Sequence, residues 1–410
     1  MQELLLLAHR IPYPPDKGDK IRSYHLLKHL SRHFRIHLGA FVDDPADWAH
    51  AQAVAEMVNG ELKLLPLHPR WATLRSSIGL LRGEPLTLPY YRSARLQHWV
   101  EQLLAKRPIR YVVAYSTAMA QYCMAYPELH RVIDFVDIDS DKWRQYATRK
   151  PWPVNWVYRR EARLLFGYER RVAGTLEAAT FVSRTEADLF RQLAPECASR
   201  ISYYNNGVDL EYFSPTPAYD NPYLPGERVL VFTGAMDYWA NVDAVAWFTR
   251  EVFPALQAQF ADVRFYIVGS RPTAEVQALA GNGIIVTGRV ADIRPYLAHA
   301  AIAVAPLRIA RGIQNKVLEA MAMAKPVIVS PQALEGIEAE PGLELLLAAD
   351  AAAFVRHIAA QLPQPDAALG RAARLRVEQS YSWDGSLQRV DRLLAQAGAQ
   401  PIPAALARPA

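Results

Sequence analysis

In the stretch "RGIQNKVLEAMAMAKPV", which begins at Arg311, two ionisable residues stand out in the part that has the pattern of an apolar helix. Lys316 and Glu319 are three residues apart, so on a helix they share one face. A carboxylate among apolar side chains is costly unless hydrogen-bond donors reach it, and ribose hydroxyls are suitable donors. The alternative is a local Lys–Glu ion pair without a ligand, and these two residues alone do not decide between the interpretations.

The loop before this helix is suited to an anion. It follows the buried-strand pattern "AIAVAPL" and carries Arg308 and Arg311. Gly312 permits a close backbone approach. The free amides and the dipole of a helix that begins near Gln314 favour a phosphate. The stretch therefore predicts a phosphate site to which Ile313 and Gln314 contribute their backbone, with Lys316 as a further charge at the same helix end.

Two other strand-to-helix turns fit the same chemistry. In "FTGAMDYWANVDAV", Gly234 follows a strand, although many βα turns contain one glycine. In "PYPPDKGDKIRSYHLL", a glycine coincides with several cations at a helix start, which favours a second anion site over ordinary loop polarity. We assign Gly18 to this anion site, and the candidate acceptor-binding residues beside it are Lys17, Asp19 and Arg22.

An acidic cluster, "DFVDIDSDKW", lies at and beyond the end of another strand pattern. Asp137 and Asp139 could bind a metal, act as a base or accept a hydrogen bond from a hydroxyl. Acidic and hydroxyl side chains at such a position also cap helices, and we expect that role for Ser140 and Asp141.

The elements that must position these residues form two series. Near-continuous apolar runs alternate with helical patterns, and the proline-rich stretch 214–227 separates the series. This pattern predicts an α/β fold with two Rossmann-like, doubly wound domains that face each other across a cleft, with the ligand outside the carboxyl ends of the strands. We place the domains at 1–213 and 214–380. A helix at 381–400 could pack across either domain, and 401–410 is predicted to be a disordered tail.

Composition narrows the class of protein. The chain has 410 residues, of which 51% are hydrophobic and 21% charged, as in ordinary globular proteins. Two isolated cysteines, Cys123 and Cys197, form neither a disulfide framework nor a metal site. The apolar run in "MQELLLLAHRIPYPP" is short and ends in prolines, which indicates a first strand rather than a signal peptide. These features predict a cytoplasmic protein.

The formal net charge of +5 is unevenly distributed. Segment 149–171 has seven basic residues against two acidic ones, with aromatic residues interleaved. Segment 70–82 places apolar residues at helical spacing beside arginines. Two interpretations remain open, a solvated helix face over aromatic packing, or a surface that meets anionic lipid or an acidic acceptor. Nucleic-acid binding is not expected, because the rest of the chain is not basic enough.

Several motifs together resemble the GT-B glycosyltransferases of family 4. They are "NNGVDLEYFSP", "FTGAMDYWANVDAV", "VTGRVADIRPYLAHAAIAVAPL" and "GIQNKVLEAMAMAKPVIVS". More narrowly, "DFVDIDSDKWRQYA" with "RGIQNKVLEAMA" is similar to the sugar transferases associated with exosortase/PEP-CTERM exopolysaccharide loci. The resemblance spans nearly the whole chain, and its specificity comes from the combination of motifs.

The resemblance implies a retaining, metal-independent hexosyltransferase of exopolysaccharide biosynthesis. The donor would be a nucleotide diphosphate sugar, bound mainly by the second domain, and the acceptor would be a glycan or a polyprenyl-linked oligosaccharide. Glu319 matches the glutamate that holds the donor ribose. Arg289 and Val290 belong to the segment that contacts the base, and Gly18 matches the glycine loop that meets the donor phosphate.

The sequence departs from the family pattern at the charged positions. Arg311 stands where relatives carry the first glutamate of a pair. Ala235 and Asn241 stand where an arginine and a lysine usually stabilise the leaving diphosphate. We infer that Lys316, with Arg311 or Arg308, supplies the missing positive charge.

A further departure concerns the acceptor side, where aspartates around Asp137 replace a histidine. Asp137 or Asp139 would then orient or deprotonate the acceptor hydroxyl. Two alternatives stay open, a nucleotide-sugar-binding protein without catalysis and a Rossmann oxidoreductase, although no Gly-x-Gly-x-x-Gly loop follows the first strand of either series. The basic aromatic segments would place the enzyme at the inner face of the cytoplasmic membrane.

Overall fold

The computed structural model describes residues 1–15, 18–148, 150–310 and 312–395. The chain divides into two compact units, one formed by residues 1–205 and the chain from 387 onward, the other by 206–386. The division after residue 205 precedes the position that we placed at 213. The end of the predicted last helix, 396–400, and the predicted tail, 401–410, lie outside the described residues.

The first unit is built on a seven-stranded parallel sheet. Its first strand is buried on both faces, and Leu4, Leu5, Leu6 and Leu7 are each at most 1% exposed, as expected for a central parallel strand. The strand order is β3-β2-β1-β4-β5-β6-β7, and the strands are β1 (Gln2–Ala8), β2 (Phe34–Val42), β3 (Leu62–Pro66), β4 (Ile109–Tyr115), β5 (His130–Val136), β6 (Ala178–Phe181) and β7 (Ile201–Tyr203).

Helices follow the strands of this sheet. They are α1 (Gly18–His33), α2 (Ala51–Met57), α3 (Pro69–Ser76), α4 (Ile78–Arg82), α5 (Thr87–Tyr91), α6 (Ala94–Lys106), α7 (Asp139–Thr148), α8 (Val154–Thr175) and α9 (Arg184–Leu193), with 3₁₀ helices at Pro45–His50, Thr117–Tyr122 and Pro195–Arg200. The amphipathic segment 70–82 is therefore two short helices, α3 and α4, which meet at Ser77.

The second unit has a six-stranded parallel sheet with the order β10-β9-β8-β11-β12-β13. Its strands are β8 (Arg228–Thr233), β9 (Val263–Val268), β10 (Ile284–Gly288), β11 (Ile302–Ala305), β12 (Val327–Val329) and β13 (Leu346–Leu347). Its helices are α10 (Trp239–Glu251), α11 (Phe253–Gln259), α12 (Ala274–Gln277), α13 (Arg294–His299), α14 (Asn315–Ala322), α15 (Pro331–Leu334), α16 (Ala351–Gln361) and α17 (Ala367–Ser380).

Both sheets are doubly wound, as predicted. In each, the strand that comes first along the chain is central, and the strand order reverses between β1 and β4 or between β8 and β11. The carboxyl ends of strands at such a reversal form the usual ligand position of open α/β sheets. The turns that follow β1, β4, β8 and β11 are therefore the places to look for a site.

The last helix, α18 (Trp383–Ala395), begins in the second unit and ends in the first. Leu387, Val390 and Leu394 are buried. In the first unit, the carboxylate of Asp391 lies 2.9 Å from His29 Nε2. The second half of α18 is thus part of the core of the first unit. None of the described helices is long and apolar enough to cross a membrane.

Candidate functional site

Lys316 lies near the start of α14, at the carboxyl end of the second sheet. Its Nζ donates a hydrogen bond to Asn241 Oδ1 at 2.5 Å and lies 4.9 Å from the centre of the Phe232 ring. A β-carbon added to Gly234 would come within 2.7 Å of Asn241 Nδ2 and 3.4 Å of Lys316 Cε. The turn after β8 and the start of α14 therefore meet at Lys316, and glycine at 234 permits this approach.

Burial perturbs both ionisable groups of α14. It lowers the pKa of Lys316 to about 8, which the charge of Glu319 partly opposes. It raises the pKa of Glu319 to about 7, which the charge of Lys316 partly opposes. Groups with such values change charge near neutral pH, a property that is enriched at functional sites.

The two side chains do not form the local ion pair that we considered as an alternative. Among the described residues, no ion pair joins Lys316 to Glu319, and the Glu319 carboxylate accepts no hydrogen bond. The Lys316 ammonium is directed to Asn241 instead. A half-buried carboxylate without donors favours the interpretation that a ligand supplies them.

The other predicted residues of this turn differ in what they can contribute. Gly312 has a φ of 64°, which favours glycine, and it precedes Ile313, which is 8% exposed. Ile313 can therefore offer its backbone but little side chain. Gln314 occupies the N-cap position of α14 without a side-chain capping bond, and its Nε2 donates to the Gly312 carbonyl at 3.3 Å. Arg311 lies outside the described residues.

Arg308 is less available than we predicted. Its Nε donates to Asp243 Oδ2 at 2.9 Å, and a second guanidinium nitrogen binds the other carboxylate oxygen. This two-point ion pair holds the guanidinium against α10, so much of its charge is already neutralised. Within the described part of this turn, Lys316 remains the cation directed toward Gly234.

The segment predicted to contact a base follows β10. Gly288 has a φ of 68°, Arg289 is exposed, and Val290 packs in part against the core of the second unit. β10 is the edge strand, two strands from β8. This segment is accessible. β9 lies between the strand that leads to it, β10, and the strand that leads to Gly234, β8.

In the first unit, Asp19 is already engaged. Its carboxylate accepts a hydrogen bond from Arg10 at 2.6 Å and lies 3.4 Å from His9 Nε2. These partners hold the pKa of Asp19 well below its usual value, although burial opposes them. Arg10 also binds Asp43 at 2.7 Å. Gly18, by contrast, is exposed with open space around it, and Lys17 lies outside the described residues.

The prediction that Arg22 binds an acceptor is corrected by its burial. Arg22 is 0% exposed, its Nε donates to Asp134 at 2.7 Å, and its guanidinium stacks 3.5 Å from the centre of the Tyr204 ring. It also donates to the Tyr204 carbonyl at 3.0 Å. Because Arg22 has no exposed surface, it does not contact an acceptor. It links α1 to β5 and to Tyr204.

Asp137 and Asp139 lie together at the carboxyl end of β5. Lys142 Nζ lies 2.8 Å from the Asp137 carboxylate and 3.3 Å from that of Asp139. Thr117, after β4, donates to Asp139 Oδ2 at 3.2 Å. Both carboxylates raise the pKa of Lys142 above its usual value. The structure thus brings the two predicted aspartates together and adds a lysine that the sequence reasoning missed.

The predicted capping roles of Ser140 and Asp141 are wrong in detail. Both residues lie within the first turn of α7 and not before it. The Ser140 hydroxyl and amide donate to the buried carboxylate of Glu169 on α8, at 2.5 and 3.2 Å, while Asp141 binds Arg144. Glu169 could not be found from sequence, because 29 residues separate it from its partner.

The sequence reasoning also missed His9 and Arg10, which follow β1. The His9 ring stacks on Tyr115 at 5.7 Å, and its buried Nδ1 has no hydrogen-bond partner among the described residues. The run "LLLLAHR" places both residues directly after a buried strand, which is the signal that could have found them.

Comparisons with known proteins fit this arrangement. A family model described as "Glycosyl transferases group 1" matches residues 227–364, which contain Gly234 and Lys316. No curated protein sequence matches the chain. Sucrose-phosphate synthase from Thermosynechococcus elongatus has a similar structure, with a TM-score of 0.70 and 17% identity over 97% of this chain and 100% of that one.

Two further solved structures are similar over nearly their full length. Anabaena Alr3699/HepE in complex with UDP has a TM-score of 0.66 and 15% identity over 96% of this chain and 100% of that one. WaaG, a glycosyltransferase involved in lipopolysaccharide biosynthesis, has a TM-score of 0.64 and 13% identity over 95% and 99%. The chain has the GT-B fold. The group 1 glycosyltransferase model covers the part of the second unit from β8 to α16, and the predicted fold class is confirmed.

Proposed function

We propose that this GT-B protein is a retaining, metal-independent glycosyltransferase of family 4 that uses a nucleotide diphosphate sugar. The observation that carries the proposal is the contact between Lys316 and Asn241. Asn241 is where the resemblance places a lysine that stabilises the leaving diphosphate. Lys316, from the opposite turn, brings an ammonium to the same place. HepE, which has the same fold, binds UDP.

In this mechanism, the second unit stabilises the leaving group. The bond between the sugar C1 and the diphosphate oxygen breaks, and negative charge grows on the diphosphate. The Lys316 ammonium and the free amides at the start of α14 stabilise that charge. Glu319, when ionised, accepts hydrogen bonds from the ribose hydroxyls, and Arg289 and Val290 lie beside the base.

The acceptor side uses the first unit. A hydroxyl oxygen of the acceptor forms the new bond to C1 and loses its proton. We assign Asp137 or Asp139 to orient that hydroxyl or accept its proton. Because Lys142 lies within 3.3 Å of both carboxylates, it holds them in position. No metal takes part in any of these steps.

The transfer reaction tests this assignment directly. Wild-type protein is expected to release nucleoside diphosphate from a panel of nucleotide sugars when glycan or polyprenyl-linked acceptors are present. Lys316→Ala should lower kcat about 100-fold or more, because it removes a charge that acts in the transition state. Lys106→Ala, an exposed lysine on α6, is the matched control and should retain full activity.

The outcomes also separate the alternatives. A wild type that binds UDP or another nucleoside diphosphate but never consumes a sugar donor would establish a binding protein without catalysis. Full activity in Lys316→Ala would remove Lys316 from the mechanism. Reduction of a nicotinamide cofactor, tested by absorbance at 340 nm, would support the oxidoreductase instead.

We further propose that the first unit contacts an anionic membrane surface, which would bring a polyprenyl-linked acceptor of exopolysaccharide synthesis to the enzyme at the inner face of the cytoplasmic membrane. The exposed apolar side chains of segments 70–82 and 149–171 support this proposal. Trp152 is 79% exposed and Trp71 is 71% exposed. The other exposed members are Leu74, Ile78, Leu80, Val154 and Trp156.

Hydrogen bonds join these two segments. Arg160 on α8 donates to the carbonyls of Gly79 at 2.8 Å and Glu84 at 3.2 Å. The buried Glu161 carboxylate accepts from the amides of Leu86 and Thr87. The stretch from α4 to α5, which directly follows α3, is thus fixed against α8. Arg160 has a structural role here and is not a free charge for lipid.

Other cations of the segments are exposed. Arg159 and Arg163 lie on α8, Lys150 lies just before it, and Arg70 and Arg82 lie on α3 and α4. Aromatic side chains next to cations suit the interface of a bilayer that contains anionic lipid.

Vesicle co-sedimentation tests the membrane proposal. Wild type should bind vesicles of phosphatidylcholine with phosphatidylglycerol more tightly than phosphatidylcholine alone. Arg159→Gln/Arg163→Gln should weaken binding roughly tenfold or more, since each basic residue contributes about 1 kcal/mol. Arg95→Gln/Arg110→Gln, two exposed arginines elsewhere in the unit, form the control pair. Equal loss in both pairs would remove these segments from the membrane contact.

A further inference from the structure

A cluster of metal-binding side chain types lies outside the site described above, within the first unit. His29 and His33 are four residues apart near the end of α1, so they share a face. Asp391 approaches from α18, with both carboxylate oxygens 2.9 Å from His29 Nε2. One ligand atom from each of the three residues lies within 4.8 Å of the others.

We infer that His29, His33 and Asp391 form a site for a divalent transition metal ion such as Zn²⁺. Two imidazoles and a carboxylate are ligands that Zn²⁺ binds at about 2.0–2.2 Å, with water in a fourth position. Two neutral imidazoles and one carboxylate together carry a net negative charge, which complements a divalent cation. Mg²⁺ prefers oxygen ligands and fits this set poorly.

The position of the cluster adds to the argument. His29 and His33 lie in the last turns of α1, where unsatisfied carbonyls carry partial negative charge that favours a cation. His29 is buried, whereas His33 is exposed, so one ligand is held by packing and another is open to incoming metal.

The simpler arrangement is an ion pair between His29 and Asp391 without metal. That pair does not require His33, yet the imidazoles of His29 and His33 lie with their centres 5.3 Å apart. A substitution of His33 therefore distinguishes the metal site from the metal-free ion pair between His29 and Asp391. Loss of His33 should weaken metal binding and leave the ion pair intact.

A bound metal would tie α18 to α1. Asp391 belongs to the part of the chain that joins the first unit only after residue 386. Metal binding to the folded state stabilises it by mass action. The site would thus stabilise the attachment of the C-terminal helix, independently of the proposed transfer reaction.

Thermal denaturation of the full-length, tag-free protein tests the inference. Protein stripped with chelator should gain Tm with micromolar Zn²⁺ but not with millimolar Mg²⁺, and equilibrium dialysis should give one ion per chain. His33→Ala should weaken Zn²⁺ binding by at least about tenfold while its metal-free Tm stays close to wild type, because exposed substitutions change stability little. His98→Ala, an exposed histidine on α6, is the matched control and should bind as wild type does.

Two results would overturn the site. One is a wild type whose Tm does not respond to 100 µM Zn²⁺ and which retains no ion on dialysis. The other is a Zn²⁺ response that is the same in His33→Ala as in wild type, which would assign the response to surface residues elsewhere. Asp391→Asn provides a second variant, expected to lose both the metal response and part of the metal-free stability.

Discussion

At the scale of single residues, the charge of Lys316 makes nucleotide binding depend on pH. Its pKa in the ligand-free protein is lowered to about 8, so the ammonium is present below pH 8 and is lost as pH rises through that value. UDP affinity should therefore begin to fall near pH 8 and decrease by up to about tenfold per pH unit above it. Calorimetric titration between pH 7 and 9.5 measures this.

The matched variant identifies the titrating group. Lys316→Ala should bind UDP weakly with no decline above pH 8. Lys316→Arg should keep the charge at every pH tested and lose the decline as well. A decline that persists in Lys316→Ala would mean that another group controls the affinity.

Sequence reasoning at this scale singled out residues whose signal is local. Lys316 and Glu319 are conspicuous because each is a charge in an apolar helix, and the structure gives both perturbed pKa values. It failed for Arg22, whose partners lie on other elements. Arg22 binds Asp134, which is 112 residues away, so no spacing rule could predict its burial.

At the scale of elements, the pair formed by Arg22 and Asp134 fixes α1 to β5. Arg22→Met should destabilise the first unit by about 3–5 kcal/mol, because it leaves a buried carboxylate without its cation. Arg22→Met/Asp134→Asn should recover part of that loss. Urea denaturation measures the change in the free energy of unfolding.

A surface pair serves as the control for this prediction. Arg170 binds Glu196 at 2.6 Å, and both side chains are 48% exposed. Arg170→Ala should cost less than about 1 kcal/mol. Similar losses in Arg170→Ala and Arg22→Met would contradict the distinction drawn from burial.

The contact between α7 and α8 should respond to pH through Glu169. Burial raises the pKa of Glu169 to about 8, with a further contribution from Asp139, although the Ser140 hydrogen bonds oppose the shift. A folded-state pKa above the unfolded value means that stability is present at low pH and is lost as pH rises toward and through 8. Glu169→Gln, which mimics the protonated form, should therefore lose less stability on going from pH 6 to pH 9.

Tm measurements across this range test the Glu169 prediction. The difference in Tm between Glu169→Gln and wild type should become more positive by about 2 °C or more at pH 9. Glu101→Gln, an exposed carboxylate on α6, should show no such change with pH. Parallel behaviour of the two variants would contradict the role of Glu169.

Elements were predictable where hydrophobic runs were continuous. β1, β4 and β5 coincide with "LLLLAH", "YVVAYS" and "RVIDFVD", since strands buried on both faces require such runs. Segment 70–82 has helical spacing but forms two helices. Backbone carbonyls of α5 hold the guanidinium of Arg75, a tertiary contact that the spacing does not reveal.

At the scale of the whole molecule, truncation after residue 386 should destabilise the first unit and leave the second unit folded. It removes Leu387, Val390 and Leu394 from the core, together with the Arg389 hydrogen bond to the Tyr203 carbonyl. The first unit should then unfold at a lower temperature, because each lost buried side chain costs about 2–5 kcal/mol. The second unit, which contains Lys316 and Glu319, should keep its UDP affinity.

Differential scanning calorimetry and UDP titration check this outcome together. Truncation after Ala395 keeps every contact of α18 described here and is the control. A single unfolding transition that shifts as a whole, with loss of UDP binding, would show that the two units are not thermodynamically separate.

The position of residues 387–395 also bears on how the chain is synthesised. The second unit is continuous from 206 to 386, whereas the first unit requires a segment from near the C-terminus. On the ribosome, the first unit can therefore reach its full stability only after residues 387–395 have been made, whereas every residue of the second unit precedes them. The unit that begins first along the chain is then the last to be completed. Until the last helix emerges from the exit tunnel, the surface of α1 that it covers is open to chaperones.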